Sequence, residues 1–290
     1  MKQVGRGVAY GAVTIVNAIS CGLGAALGVD LKTEAYAEIT NSPGRFECHI
    51  LSDLNENTEL VEEVCRSLLR HFDLHDEYGA IVETKSNIPI ARGLKSSSAA
   101  ANATSLAVLA AIDRDIDDLT LINLGVNAAI RAGVTITGAF DDACASYYGD
   151  IVITNNFERK ILKRFLVGDD YSVMIHVPAK KAYTANSRIE KMRLISREIE
   201  ALHRLAAEGY YWSSMTLNGL AYSSVIGYET RVAIDAIEAG AVAAGLSGKG
   251  PSVAAVTSPS NKDRIRNAWK EYEGEVIETK INHEKAHRIQ

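Results

Sequence analysis

Apolar residues at positions 60, 61, 64, 68, 69 and 72 recur at the spacing of one helix face. They predict an amphipathic helix ending at Phe72 and capped by Asn57 or Thr58, whose side chains suit a helix start. From Ala99 to Ile112 the pattern changes. Most positions there are Ala, Leu or Val, the composition of a strong helix former that packs in a core. Runs rich in β-branched residues, or alternating apolar with polar, predict strands over 8–19, 31–40, 45–51, 80–84, 151–154, 171–177 and 275–281. Helical spacing also covers 117–133, 184–209, 213–226, 230–239 and 261–272, with Asp117 or Asp118 starting the first of these. Residues 20–28 are small and Gly-rich and read as a loop whose backbone can approach a neighbour closely.

One stretch has two readings. Lys2 and Arg6 precede Val8 to Val29, which carries no charge, as in a signal peptide or a membrane span. Against that stand Gly11, Gly22, Gly24 and Gly28, the polar Thr14, Asn17 and Ser20, and the β-branched cluster at 13–16. The expectation is a buried strand, with no export and no membrane partner.

Composition narrows the class. At 290 residues the chain can bury a sizeable core, and two domains are expected. The segment 155–163 is the expected boundary, giving an N-terminal domain over 1–157 and a C-terminal domain over 158–290. Hydrophobic content of 47% and charged content of 23% are those of a soluble globular protein. A net charge of −5 gives no electrostatic case for a nucleic-acid partner. Cys21, Cys48, Cys65 and Cys144 are widely spaced, so neither a zinc site nor a disulfide framework is indicated, and a reducing cytoplasm fits.

The chemistry concentrates in residues 86–105. Pro89 ends the strand at 80–84, and Gly93 allows a tight turn. Ser96, Ser97 and Ser98 can cap the Ala-rich helix. A strand, a Gly-Ser loop and a helix start together offer unsatisfied N–H groups and partial positive charge to a phosphate. Lys95 adds a full charge. The spacing is not that of the Walker loop. A second Gly-rich segment, Gly245-Leu246-Ser247-Gly248-Lys249-Gly250-Pro251-Ser252, lies between two apolar runs and suggests backbone near an anion. Asp141 and Asp142 sit at the start of a short Ala-rich helix. An acidic pair there interacts well with the helix dipole, and it is also where a catalytic base or a metal ligand would stand.

These stretches resemble a known family. Pro89-Ile90-Ala91-Arg92-Gly93-Leu94-Lys95-Ser96-Ser97-Ser98-Ala99-Ala100 is similar to the phosphate loop of the GHMP kinases, the galactokinase, homoserine, mevalonate and phosphomevalonate kinase superfamily. Gly245 to Ser252 resembles its C-terminal glycine motif, and Gly11 to Ala18 occupies the place of its first motif. Lys95 replaces the usual second glycine of the loop. That variant, Thr137-Gly138-Ala139-Phe140-Asp141-Asp142-Ala143 and the length resemble the archaeal shikimate kinases of this superfamily.

The resemblance implies an α+β, two-domain fold: an N-terminal ribosomal-protein-S5-like domain, a C-terminal ferredoxin-like domain and a nucleotide between them. It implies an ATP-dependent kinase acting on the 3-hydroxyl of shikimate. ATP would lie on Pro89, Arg92, Gly93, Leu94, Lys95, Ser96, Ser97, Ser98 and Ala99, and on Gly248, Lys249 and Gly250. Lys95 would add charge, and Ser97 aligns with a serine that reaches Mg²⁺ in relatives. Either Asp141 or Asp142 could be the base or, with Ser97, a metal ligand; Asp141 matches the family's catalytic aspartate best. Mevalonate-type relatives carry a Glu about eleven residues earlier. Here Asn127 to Arg131 holds no carboxylate, so Asp142 substitutes or phosphates hold the metal. Arg92, Arg131 and Arg188, then Lys249 and Thr184, are candidates for the substrate carboxylate. A homoserine or pantoate kinase and a non-catalytic nucleotide sensor are the alternatives.

Overall fold

The computed structural model describes residues 3–135, 138–179 and 189–289. The uncharged N-terminal stretch is two paired strands. β1 (Val4–Val16) and β2 (Leu23–Thr40) run antiparallel along most of their length. The expected loop at 20–28 is therefore short, and Leu23 to Gly28 already belong to β2. Ala25, Ala26 and Leu27 are buried there, paired with β1 on one side and with β5 (Ile151–Asn155) on the other. The two flanking strands, not propensity, make this Gly-Ala run extended. Among the described residues no helix is long and apolar enough to cross a membrane.

The second half of β2 pairs with β4 (Gly79–Ser86). β4 lies parallel to β3 (Phe46–Ile50), and α1 (Glu59–His71) makes the crossover that a parallel pair requires. α1 buries Leu60, Val61, Val64, Leu68 and Leu69, the face expected from the spacing.

α2 (Ser96–Ile112) packs on β1 and β2. A β-carbon at Gly5 would stand 2.3 Å from the Ala107 carbonyl oxygen, and one at Gly7 would stand 2.5 Å from that of Ala103. Glycines on the strand and alanines on the helix let the two backbones touch, which is why α2 carries so few large residues. The helix begins three residues before Ala99. Lys95, in a left-handed conformation (φ 64°), is its N-cap, and no serine side chain caps it.

α3 (Asp118–Arg131) starts at the Asp117 cap, whose carboxylate accepts from the Thr120 N–H at 2.9 Å. α4 (Phe140–Tyr148) follows and leads into β5. The chain then turns into β6 (Lys160–Phe165), an edge strand on β5. The expected boundary at 157/158 falls in this turn, and β6 sits in the first sheet with β5.

The second sheet has the order β10-β7-β9-β8, from β7 (Ser172–Val177), β8 (Ala241–Leu246), β9 (Val253–Thr257) and β10 (Glu275–Lys280). Between β7 and β8 lie α5 (Ile189–Arg193), α6 (Ser196–Ala207), α7 (Tyr211–Ile226) and α8 (Arg231–Glu238). The helix expected over 184–209 is thus α5 and α6 where it is described. α9 (Lys262–Ala268) lies between two 3₁₀ turns over the span 259–271, and β11 (His287–Ile289) returns to pair with β1. One apolar cluster joins Val13, Ile15 and Leu27 of the first sheet to Ile175 and Val256 of the second, so the core is continuous between them.

Candidate functional site

Three distant segments are stitched together by buried hydrogen bonds. The Ser247 hydroxyl donates to the Gly93 carbonyl at 2.7 Å and accepts from the Thr14 N–H at 3.1 Å. The Gly248 N–H donates to the Thr14 hydroxyl at 2.8 Å. The Asn17 amide donates to the Gly248 carbonyl at 2.8 Å. The end of β1, the loop before α2 and the turn after β8 therefore form one wall. Gly93 fits there twice over: its φ is 83°, and a β-carbon would stand 2.2 Å from the Ser247 carbonyl oxygen.

That wall borders a cavity of about 440 Å³. Gly93, Lys95, Ser96, Ser97, Asp141, Asp142, Gly248, Lys249 and Gly250, all candidates from the sequence, line it. Pro89, Arg92, Leu94, Ser98 and Ala99 are not among its lining residues. Leu94 and Ala99 are buried in the core and shape the loop from behind. The cavity also has a largely apolar side, from Ile50 at the end of β3, Leu60 and Val61 of α1, and Ile90. No motif marks Ile50, Leu60 or Val61, because their role comes from the β3–α1–β4 crossover; Ile90 lies in the segment read as a phosphate loop.

The start of α2 faces this space without a side-chain cap. Its first N–H groups have no intrahelical acceptor, and the helix dipole adds positive character. Lys95 stands at the same end, its ammonium 3.0 Å from an Asp142 carboxylate oxygen. Both side chains are mostly buried, 7% and 15% exposed. Lys249 lies close by. Burial, together with the charge of Lys95, lowers its pKa to about 8.

Asp141 and Asp142 open α4 and point to different surroundings. Asp141 is 4% exposed. One carboxylate oxygen accepts from the Asn156 amide at 2.8 Å. Burial, and next the charge of Asp142, raise its pKa to about 7, against the opposing pull of Lys95 and Asn156. Asn156 carried no signal in the sequence: it lies in the segment read as a domain boundary.

The carboxylate-binding candidates separate. Arg131 donates to Glu63 at 2.8 Å and to Ser67, both on α1, so it is occupied by α1. Arg92 donates to the Ala179 carbonyl. Thr184 and Arg188 lie outside the described residues. Asn127 accepts from Arg159 at 3.2 Å and is exposed, away from the cleft lining.

A cleft of this kind can hold a polyphosphate against a helix start and take a proton from a hydroxyl set beside it, which is the work of a small-molecule kinase. Two family models agree: GHMP kinases N terminal domain matches residues 59–150, and GHMP kinases C terminal matches residues 192–274. The chain belongs to the GHMP kinases and is an ATP-dependent small-molecule kinase. It is 44% identical to a shikimate kinase of Methanosarcina mazei, over 97% of this chain and 96% of that protein. It is 39% identical to a shikimate kinase of Pyrococcus furiosus, over 96% and 99% respectively. Among solved structures, a homoserine kinase from Cytophaga hutchinsonii superposes with a TM-score of 0.75 at 17% identity, covering 100% of this chain and 98% of that one. L. major mevalonate kinase superposes with a TM-score of 0.76 at 14% identity, covering 98% of each chain. These two likenesses establish the fold.

Proposed function

We propose that the protein is a shikimate kinase, transferring the γ-phosphoryl group of ATP to the 3-hydroxyl of shikimate to give 3-phosphoshikimate and ADP. The observation that carries this reading is the identity of about 40%, over nearly the whole chain, to archaeal proteins of that name. The cleft supports it. The apolar wall of Ile50, Leu60 and Val61 suits a flat base. The uncapped start of α2, with Lys95 and Lys249, suits the phosphates.

In the transfer, the acceptor oxygen forms a bond to the γ-phosphorus, and the bond to the bridging oxygen breaks with its electron pair leaving on ADP. The acceptor proton goes to the Asp141 carboxylate. A carboxyl titrating near neutrality is suited to this task, since it is both ionised and basic enough at working pH. Lys95 and Lys249 offset the charge that moves onto ADP.

Mg²⁺ suits this site. The Ser97 hydroxyl and the Asp142 carboxylate both line the cleft, and they would hold the ion with phosphate oxygens and waters in the other positions. Among the described residues, no group of three or more His, Cys, Asp or Glu is placed to hold a metal. Bound there, the ion would neutralise β- and γ-phosphate oxygens. The four free cysteines support a reducing compartment such as the cytoplasm.

The test is ADP release from ATP with shikimate, homoserine, pantoate and mevalonate as acceptors. Release with shikimate alone is expected. Release with a different acceptor alone would overturn the substrate while keeping the family.

A further inference from the structure

Behind Asp141 lies a buried polar chain that the transfer step does not itself use. Thr154, at 0% exposed, is the penultimate residue of β5, and Asn156, at 3%, follows two residues later. The Thr154 hydroxyl donates to the Asn156 side-chain oxygen at 2.7 Å. That contact occupies the oxygen end of the amide and leaves the NH₂ end to face Asp141 at 2.8 Å. A carboxylate only accepts, so the orientation is the one it needs. The main chain of Asn156 is anchored too, its N–H donating to the Gly22 carbonyl at 2.8 Å. On the other side of the carboxylate there is no room to turn. A β-carbon at Gly24 would stand 2.5 Å from the second Asp141 oxygen.

We propose that Asn156, with its amide fixed by Thr154, is a positioning residue that holds the Asp141 carboxylate at the angle needed to meet the acceptor hydroxyl. The inference rests on the phosphoryl-transfer reading of the cleft. Neither residue lines the cavity, so both act through Asp141. Positioning matters because a misplacement of an ångström at a reacting group is costly in rate. The pair also explains why a polar Thr-x-Asn sequence sits buried at the end of an otherwise apolar strand. Each side-chain polar atom of the two residues has a partner, as buried polar groups require.

The experiment is a double-mutant cycle on steady-state kinetics. Asn156→Ala lowers kcat roughly tenfold to a hundredfold while KM for ATP stays within about twofold. Thr154→Val, which keeps the shape and removes the hydroxyl, gives a smaller loss of the same kind. Thr154→Ser restores it. In the Asp141→Asn background, Asn156→Ala costs nothing further, because the residue it positions is already disabled. A structural role would instead multiply the two losses. Multiplied losses, or a raised KM for ATP with unchanged kcat, would overturn the proposal. If shikimate supports no ADP release, the substrate reading falls. The same cycle is then read on acceptor-independent ATP hydrolysis, where water stands in for the hydroxyl, and the proposal stands or falls on that split.

Discussion

Asp141 and Asp142 are neighbours in one turn of α4, and their direct partners differ. Asp141 is enclosed by Asn156 and the bare backbone of Gly24, and among the described residues no cation forms an ion pair with it. Asp142 faces Lys95 at 3.0 Å, so its charge is balanced by a full opposite one. Consecutive residues on a helix diverge by roughly 100°, so one turn can aim two carboxyl groups into two environments. The lesson is a division of labour. Burial beside a neutral amide suits Asp141 to the proposed role of base, and an ion pair at the cleft wall suits Asp142 to holding charge.

The sharpest way to break the comparison is to exchange the two roles. Asp141→Asn keeps the shape and removes the basicity, so kcat should fall roughly a hundredfold to ten-thousandfold with nucleotide affinity little changed. Asp142→Asn should leave more of kcat and raise the Mg²⁺ or ATP concentration required. Steady-state kinetics with varied ATP and Mg²⁺ separate the two. A near-normal Asp141→Asn beside an inactive Asp142→Asn would reverse the assignment.

Removing the cation probes the other half. Lys95→Ala strips the phosphate side of a charge and leaves Asp142 unpaired. ATP affinity should weaken by roughly tenfold to a hundredfold, the scale of one charged hydrogen bond. Calorimetric titration measures it. The double variant Lys95→Ala/Asp142→Asn should recover part of any lost thermal stability, since no uncompensated charge then remains.

The titration of Asp141 makes two further predictions. In the proposed transfer its ionised form accepts the proton, so kcat should decline about tenfold per pH unit below about 7. Stability runs the other way. The folded carboxyl titrates near 7 and the unfolded one near 3.9, so the folded state binds more protons between them and loses stability as pH rises through that window. Asp141→Asn should therefore melt a few degrees above the wild type at pH 8, and the gap should close near pH 4. Differential scanning calorimetry at the two pH values checks the sign.

The smallest effect concerns Lys249. With its pKa lowered to about 8, it loses its charge as pH rises through that value. ATP affinity should fall severalfold between pH 7 and pH 9, and Lys249→Arg should flatten the decline, because a guanidinium stays charged.

How much of this could be read from the sequence depended on whether a residue acts through its own neighbours. Gly93, Lys95 and Ser97 could be read as a proposed phosphate site because turn, charge and helix start are local events. The amphipathic face of α1 was legible for the same reason. The left-handed Lys95 cap was not: it depends on the ion pair with Asp142, forty-seven positions away, and on the approach of Ser247 to Gly93. Leu23 to Gly28 looked like a loop because Gly and Ala have little strand preference, and only the strands on both sides make it one. The first part of β6, Lys160 to Lys163, was read as part of a domain boundary because an exposed edge strand is polar. Asn156 was invisible because its partner is brought to it by the fold.

In the proposed mechanism the cleft phosphorylates a hydroxyl with Asp141 as proton acceptor. Single-turnover transfer from γ-labelled ATP to shikimate, in the wild type and in Asp141→Asn and Asp142→Asn, tests it most directly. The label should appear on shikimate rapidly in the wild type, at a reduced but measurable rate in Asp142→Asn, and hardly at all in Asp141→Asn despite bound ATP. Equal transfer rates in the wild type and Asp141→Asn would contradict the account.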